Sequence, residues 1–457
     1  LVRGFCRSLQ RPLLWPLLAD ERRSLERLDI PRLTVPARSR TLETSDGARV
    51  EGYIAISGRE GVNLRLAALS DEDLDYQLDE LRAALACPAP PMTDAPNRVQ
   101  PAGTSFSRED LDDELVLMRA AELIGRAVLA RGRPMPGGAL AWPSCRARVD
   151  LYAGTSGILL FLSALAAVVS KQTWRPSARA ALEGIRTALE RHDATLSGLG
   201  ACSGVPSIVY ALALASDLLG SDSATAEVAT LALDRIPDAG IGQDEVLDVE
   251  GGSAGALLAL LAAHEVLGGA GAITVAGRCV RRLLATQVRS GADAGAWRAG
   301  VDARPRPGFA HGAAGMAYAL SRWQEQSPAD PRVADAVRLA WRYERRVFAV
   351  SGGTWPTTLS DGSRLVMAAW CHGAPGIGLA RACGRGAMTD DEVPGEIRAA
   401  VEATRLAPRS RVDHVCCGNL ARADALLTIG RATGDVDAAS RGRSLALAVA
   451  RRVLSEG

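Results

Sequence analysis

From about residue 109 onward, apolar residues recur at three- and four-residue spacing, which predicts helices rather than strands. "REDLDDELVLMRAAELIGRAVLARG" (108–132) and "DAASRGRSLALAVARRVL" (437–454) keep this period. Two kinds of helix alternate. Segments such as "SGILLFLSALAAVV" (156–169) carry no charge, whereas "RPSARAALEGIRTALERH" (175–192) is amphipathic. A helix that is apolar all round is buried, and an amphipathic one covers it. Earlier in the chain, "VEGYIAISG" (50–58) predicts a strand, and "SDEDLDYQLDELRAAL" (70–85) predicts a helix capped by Ser70. Residues 88–108 hold five prolines and no hydrophobic period, so they read as a linker.

The helical region repeats itself. Six segments share a glycine turn followed by an apolar helix: "LYAGTSGILLFL", "ACSGVPSIVYAL", "VEGGSAGALLAL", "FAHGAAGMAYAL", "WCHGAPGIGLAR" and "VCCGNLARADAL". Their shared glycines are Gly154, Gly204, Gly252, Gly312, Gly373 and Gly418. Each interval fits two helices and two loops, and a period of this size marks a repeat architecture. The expectation is an all-α fold, an α/α toroid with buried inner helices and covering outer ones, preceded by a small α+β piece. The residues just before the glycines then ring one mouth. They include Tyr152, Cys202, Glu250, His311, Cys371, His372, Cys416 and Cys417.

Charge and composition narrow the function. The 457 residues carry 53 basic and 52 acidic groups, a net +1, which gives no reason to expect nucleic acid or an anionic membrane as partner. No run of about 18 uncharged apolar residues exists. The opening "LVRGFCRSLQRPLLWPLL" is broken by Arg11, Pro12 and Pro16 and does not read as a signal peptide. Nine cysteines, an odd number in a large chain, argue against a disulfide framework and for reduced thiols and a cytoplasmic location.

Three rim cysteines, Cys371, Cys416 and Cys417, suit a zinc ion with an open fourth position. The other reading of a cysteine, a small buried hydrophobe, fits the scattered Cys6, Cys87, Cys145, Cys279 and Cys383. At the rim, His311 is a candidate acid/base. His372 is either a fourth ligand or a second proton donor, and its place directly after Cys371 favours the donor. Asp248 is either a helix cap or a carboxylate that orients a rim histidine. His192 and His264 fall off the repeat position, and His414 lies close enough to Cys416 to support the metal site from outside.

On "WCHGAPGIGLAR", "CCGN" and "GFAHGAAG" the chain resembles the class II lanthipeptide synthetases, with residues 109–457 similar to their lanthionine cyclase region and residues 1–86, through "LDIPRLTVPARSRTL" (28–42), similar to the tail of the preceding dehydratase domain. The resemblance implies a toroid with seven inner helices and zinc on Cys371, Cys416 and Cys417. It also implies acid/base work by His311 with Asp248 beside it. The implied reaction joins peptide cysteines to dehydroalanine or dehydrobutyrine, giving lanthionine or methyllanthionine, and the implied partner is a lanthipeptide precursor peptide. Association with a membrane transporter is not readable from the sequence. Three departures stand out. His372 and Met367 occupy places where single-domain cyclases usually have tyrosine and arginine. Ala421 replaces an expected glycine. Six glycine turns are visible rather than seven, so the expectation is a fragment truncated at the C-terminus, without ATP-binding lobes. The alternatives are an inactive toroid that holds zinc or a peptide, and, less well supported, a glycosidase, for which only Asp248 and Glu250 lie near the rim.

Overall fold

A computed structural model describes Leu17 and, with short gaps, residues 33–67 and 113–456. The chain divides into two compact units, Leu1–Ala102 and Gly103–Gly457. In the first, β1 (Leu42–Glu43) and β2 (Arg49–Val50) form an antiparallel hairpin with Leu42 opposite Val50. Both pack on Leu17, with Val35 alongside. Helix α1 (Gly58–Ala67) opens on a reciprocal cap: Glu60 N–H donates to Ser57 Oγ, and Ser57 N–H donates to Glu60 Oε2 at 2.7 Å. The strand expected over 50–58 stops at Val50. Gly52 turns the chain with φ +67°, and the Ser57 cap already starts a helix. The helix expected over 70–85 and the proline-rich 88–108 stretch lie outside the described residues.

The second unit is helical. It begins with α2 (Asp113–Ala130) and a short hairpin, β3 (Arg133–Pro134) with β4 (Leu140–Ala141). Next come α3 (Thr155–Val168), α4 (Lys171–Glu190), α5 (Val205–Leu218), α6 (Ser223–Leu233), the short α7 (Asp238–Gln243), α8 (Ser253–Leu267) and α9 (Ala270–Thr286). Then follow α10 (Ala313–Gln326), α11 (Pro331–Val350), the hairpin β5 (Pro356–Thr358) and β6 (Arg364–Val366), α12 (Ala374–Cys383), α13 (Val393–Leu406), α14 (Asn419–Thr433) and α15 (Val436–Glu456). Helices α3, α5, α8, α10, α12 and α14 pack in sequence order as an inner layer, and each packs on the outer helix that follows it. The circuit continues outside, where α15 packs on α2 and α2 on α3. One continuous apolar core fills the space between the layers, with Leu159, Leu212, Leu257 and Leu320 from the inner helices and Trp174, Cys279 and Trp341 from the outer ones. No described helix is long and apolar enough to cross a membrane.

The six shared glycines are the N-caps of the six inner helices. Outer helices α6 and α11 start differently, on the side chains of Asp222 and Asp330. A second glycine three residues into four of the motifs has a steric cause. A Cβ on Gly315 would sit 1.9 Å from the Phe309 carbonyl oxygen, and one on Gly255 would sit 2.1 Å from that of Val249. The loop folds back so tightly over the first helical turn that no side chain fits. In the second motif the place is taken by Ser207, whose hydroxyl donates to the Gly204 carbonyl and accepts the Leu151 N–H.

Gly315→Ala should therefore destabilise the second unit by roughly 1–3 kcal/mol, the usual cost of forcing atoms into a packed site. Gly242→Ala, at an exposed helical position with nothing within 4 Å, should be neutral or stabilising by up to about 1 kcal/mol. Thermal denaturation of both variants checks the contrast.

Candidate active site at the ring mouth

Each rim loop donates backbone hydrogen bonds to the next. Tyr152 N–H reaches Cys202 O (3.0 Å), Cys202 N–H reaches Glu250 O (3.2 Å), Val249 N–H reaches Ala310 O (3.0 Å), Ala310 N–H reaches Cys371 O (3.2 Å) and Trp370 N–H reaches Cys416 O (2.8 Å). This chain of bonds, running loop to loop, brings residues far apart in sequence to one place. Asn419 braces the last loop by donating to Ser410 O and Asp413 Oδ1 and accepting from Ser410 N–H. Arg422, on the first turn of α14, donates to Ala368 O at 2.8 Å and so ties that loop to the one bearing Cys371.

His311 stands at the centre. Its Nδ1 lies 3.0 Å from Asp248 Oδ2, while Asp248 Oδ1 accepts the Gly251 N–H of its own loop at 2.8 Å. Asp248 is thus both the loop brace and the carboxylate that orients the histidine. That bond fixes the proton on Nδ1 and leaves Nε2 for exchange with a substrate. The hydrogen bond to Asp248 raises the His311 pKa, with burial opposing and the charges of Asp248 and Glu250 assisting. Asp248, Glu250 and His311 place one polar atom each within 4.8 Å of one another.

His372 stacks on His311, with ring centroids 5.1 Å apart and planes at 26°. Burial, then the neighbouring His311 and Arg306, push its pKa down to about 4. Its buried Nδ1 has no hydrogen-bond partner among the described residues. The two stacked imidazoles are thereby driven apart in acidity, His311 upward and His372 downward.

The thiols gather beside them. Cys371 is buried, Cys416 half-buried and Cys417 exposed. Cys371 and Cys416 are hydrogen-bonded, which lowers the Cys371 pKa and raises that of Cys416. Burial and then Cys416 raise Cys417. His414, Cys416 and Cys417 each place a ligand atom within 4.8 Å of the others. His414 Nδ1 also accepts the Cys416 N–H at 3.1 Å, and its ring lies 5.5 Å from that of Tyr152. Soft thiol donors at this density, one with its pKa lowered, fit zinc and do not fit magnesium or calcium. Cys202 lies farther round the rim, its thiol pushed up to about 12 by burial and then by the charge of Glu250.

Sequence reasoning gave no part in the ring chemistry to Glu250, Asn419 or Arg422. The first two are visible in the repeat alignment as rim residues or motif residues. Arg422 carries no signal beyond its helical setting, because its partner is a carbonyl of another repeat.

The family described as Lanthionine synthetase C-like protein matches residues 147–456. Among solved structures, "Nisin cyclase" superposes with a TM-score of 0.56 at 16% identity, covering 74% of this chain and 87% of that one. An unsaturated glucuronyl hydrolase from Bacillus sp. GL1 superposes with a TM-score of 0.39 at 15% identity, covering 65% and 86%. No curated protein sequence matches the chain.

A pKa raised in the folded state means that His311 stabilises the fold fully below its ordinary value of about 6.5 and less as pH rises through the raised value. In chelator-treated protein, the stability advantage of wild type over His311→Gln should therefore shrink from pH 5.5 to pH 9. Asp248→Asn should abolish most of this pH dependence. Denaturant titrations across that range decide it, and an advantage that grows with pH contradicts the assigned His311–Asp248 pair.

Proposed function

The chain belongs to the lanthionine synthetase C-like protein family, and from that premise we propose that it closes thioether rings by adding a peptide cysteine to a dehydroalanine or dehydrobutyrine of the same peptide. The observation that carries this reading is the meeting of two unlike groups at one mouth: three thiols linked through Cys416, and a histidine hydrogen-bonded to a buried aspartate.

Cys371, Cys416 and Cys417 would hold a zinc ion, with His414 bracing their loop. Zinc bound there supplies a Lewis acid that keeps a substrate thiol deprotonated at neutral pH. The rest is work for the chain's own side chains. As the new C–S bond forms at the β-carbon, the π pair of the double bond moves to the α-carbon and its carbonyl. His311 delivers one proton to that α-carbon, and Asp248 stabilises the imidazolium beforehand and reorients the ring afterwards. The proton first lost by the substrate thiol balances the one delivered. His372, with its pKa pushed down to about 4, holds no extra proton to give near neutrality and is a weak base. Its stacking confines the His311 ring to one plane.

Ring closure is an isomerisation. It leaves the peptide mass unchanged and consumes the thiol, so alkylation reads it directly. A synthetic peptide with one cysteine and one dehydrobutyrine should lose its alkylatable thiol in the presence of the zinc-loaded protein. Cys371→Ala, Cys416→Ala and Cys417→Ala should each lose most of the zinc. His311→Asn should keep the zinc and close the ring about 10²–10⁴-fold more slowly. A triple cysteine variant that kept stoichiometric zinc would overturn the ligand set. Loss of zinc in His311→Asn would make that histidine a ligand.

A further inference from the structure

Beneath the mouth, between the two helical layers, lies a charged network that the chemistry above does not use. Glu344 on outer helix α11 is 0% exposed and Arg381 on inner helix α12 is 1% exposed. Arg381 Nη2 donates to Glu344 Oε2 at 2.8 Å, and Arg381 Nε donates to Glu396 Oε2 at 2.5 Å. The guanidinium also lies 5.2 Å over the Trp341 ring. The remaining Glu344 oxygen, Oε1, accepts the backbone N–H of Gly308 at 3.2 Å. Charges are costly to bury and gain little stability over well-packed apolar residues, so one that stays buried calls for another reason.

The loop that Glu344 reaches supplies the reason. Three of the other rim loops brace themselves. Asp150 accepts the Ala153 N–H, Asp248 accepts the Gly251 N–H, and Asn419 grips Ser410 and Asp413. The loop before His311 reads "ARPRPGFAHG" (303–312), with no Asp, Asn, Ser or Thr to act as a brace and with two prolines that have no N–H to offer. It brings its acceptor in from the outer layer. Gly308 itself adopts φ +117°, and a Cβ there would approach the Cys371 carbonyl oxygen to 3.0 Å. The bond that fixes Gly308 therefore also fixes the distance between the His311 loop and the Cys371 loop. Arg381 adds the second half of the link, because its helix α12 starts directly after the loop that carries Cys371 and His372.

We infer that Glu344 and Arg381 are positioning residues that set His311 against the thiol cluster, one carboxylate holding together the proton donor's loop and the helix that follows the Cys371 loop. This rests on the ring-closing function proposed above. A gap of even about 1 Å between donor and reacting carbon costs on the order of 10²-fold in rate. The pair acts on turnover and leaves substrate capture at the rim untouched.

The test uses the full chain in two variants. Glu344→Leu with Arg381→Met replaces the pair by apolar side chains that keep the layers packed, and Glu396 retains Arg345 as its partner. Glu344→Gln keeps the shape and removes the charge. Amide hydrogen exchange should accelerate at least about tenfold in residues 308–312 of the double variant while the inner helices stay protected. With a synthetic peptide carrying one cysteine and one dehydrobutyrine, kcat should fall about 10–100-fold with KM unchanged. The product should also lose diastereomeric purity at the α-carbon, a readout that a merely structural role would not move. Unchanged exchange in the 308–312 segment of a folded variant overturns the inference, as does an unchanged kcat beside an active wild type. If the double variant does not fold, the same exchange measurement is made on Glu344→Gln, where faster exchange at 308–312 supports the tether and unchanged exchange overturns it. If wild type closes no ring, the ring-closing reading fails, and exchange alone decides whether the tether exists.

Discussion

The hydrogen bonds that pass from loop to loop around the mouth are the constraint on which the rest of this structure depends. A backbone N–H buried at a helix start must find an acceptor. The glycine caps of the inner helices have no side chain, so the first helical N–H groups bond carbonyls of their own folded-back loop, as Thr155 does to Arg148, Ala254 to Leu247, Ala313 to Arg306 and Asn419 to Val412. The N–H groups just before the glycines reach the carbonyls of the next loop, from Cys202 through Glu250, Ala310 and Cys371 to Cys416. That choice demands loops in close contact, and close contact demands residues without Cβ atoms where the chain folds over its own first turn, as at Gly255 and Gly315. The chemistry follows from the same geometry. Every side chain just before a shared glycine is delivered to the mouth at one height, whatever its distance in sequence.

Electrostatics then differentiates groups that the backbone merely assembles. The hydrogen bond between Cys371 and Cys416 pushes their acidities apart, Cys371 downward and Cys416 upward. His311 and His372 stack, and only the ring with a carboxylate partner has its pKa raised. The apolar surroundings of the layers amplify both effects, since burial in each case disfavours the group that lacks a partner. The Glu344–Arg381 pair extends this logic inward, where a desolvated charge holds a backbone amide that its own loop cannot satisfy.

The repeat was legible because its cause is local: a glycine cap, a fold-back turn and an apolar helix leave a pattern within a dozen residues. The inner helices therefore begin at the glycines that the alignment singled out. The pairing of Asp248 with His311 was only half legible. The position of Asp248 four residues before Gly252 allowed a cap or an orienting role, and the structure assigns it both tasks through its two oxygens. Glu344 was not legible, because a charged residue on an amphipathic helix looks solvated until the helix is placed in the ring. Arg381 and Arg422, on inner helices, escaped because their partners lie far off in sequence, at Glu344 and the Ala368 carbonyl. The strand expected over 50–58 stops at Val50 because Gly52 turns the chain with a left-handed backbone.

Whether the rim thiols act together on one metal ion is the central question. X-ray absorption at the zinc edge of the zinc-loaded chain measures this directly, by counting sulfur neighbours at about 2.3 Å. The expected shell holds three protein sulfurs, and Cys371→Ala should lose most of the metal. A shell of two sulfurs and one imidazole nitrogen in the wild-type chain, unchanged by Cys371→Ala, would put His414 in place of Cys371 and contradict the three-thiolate site.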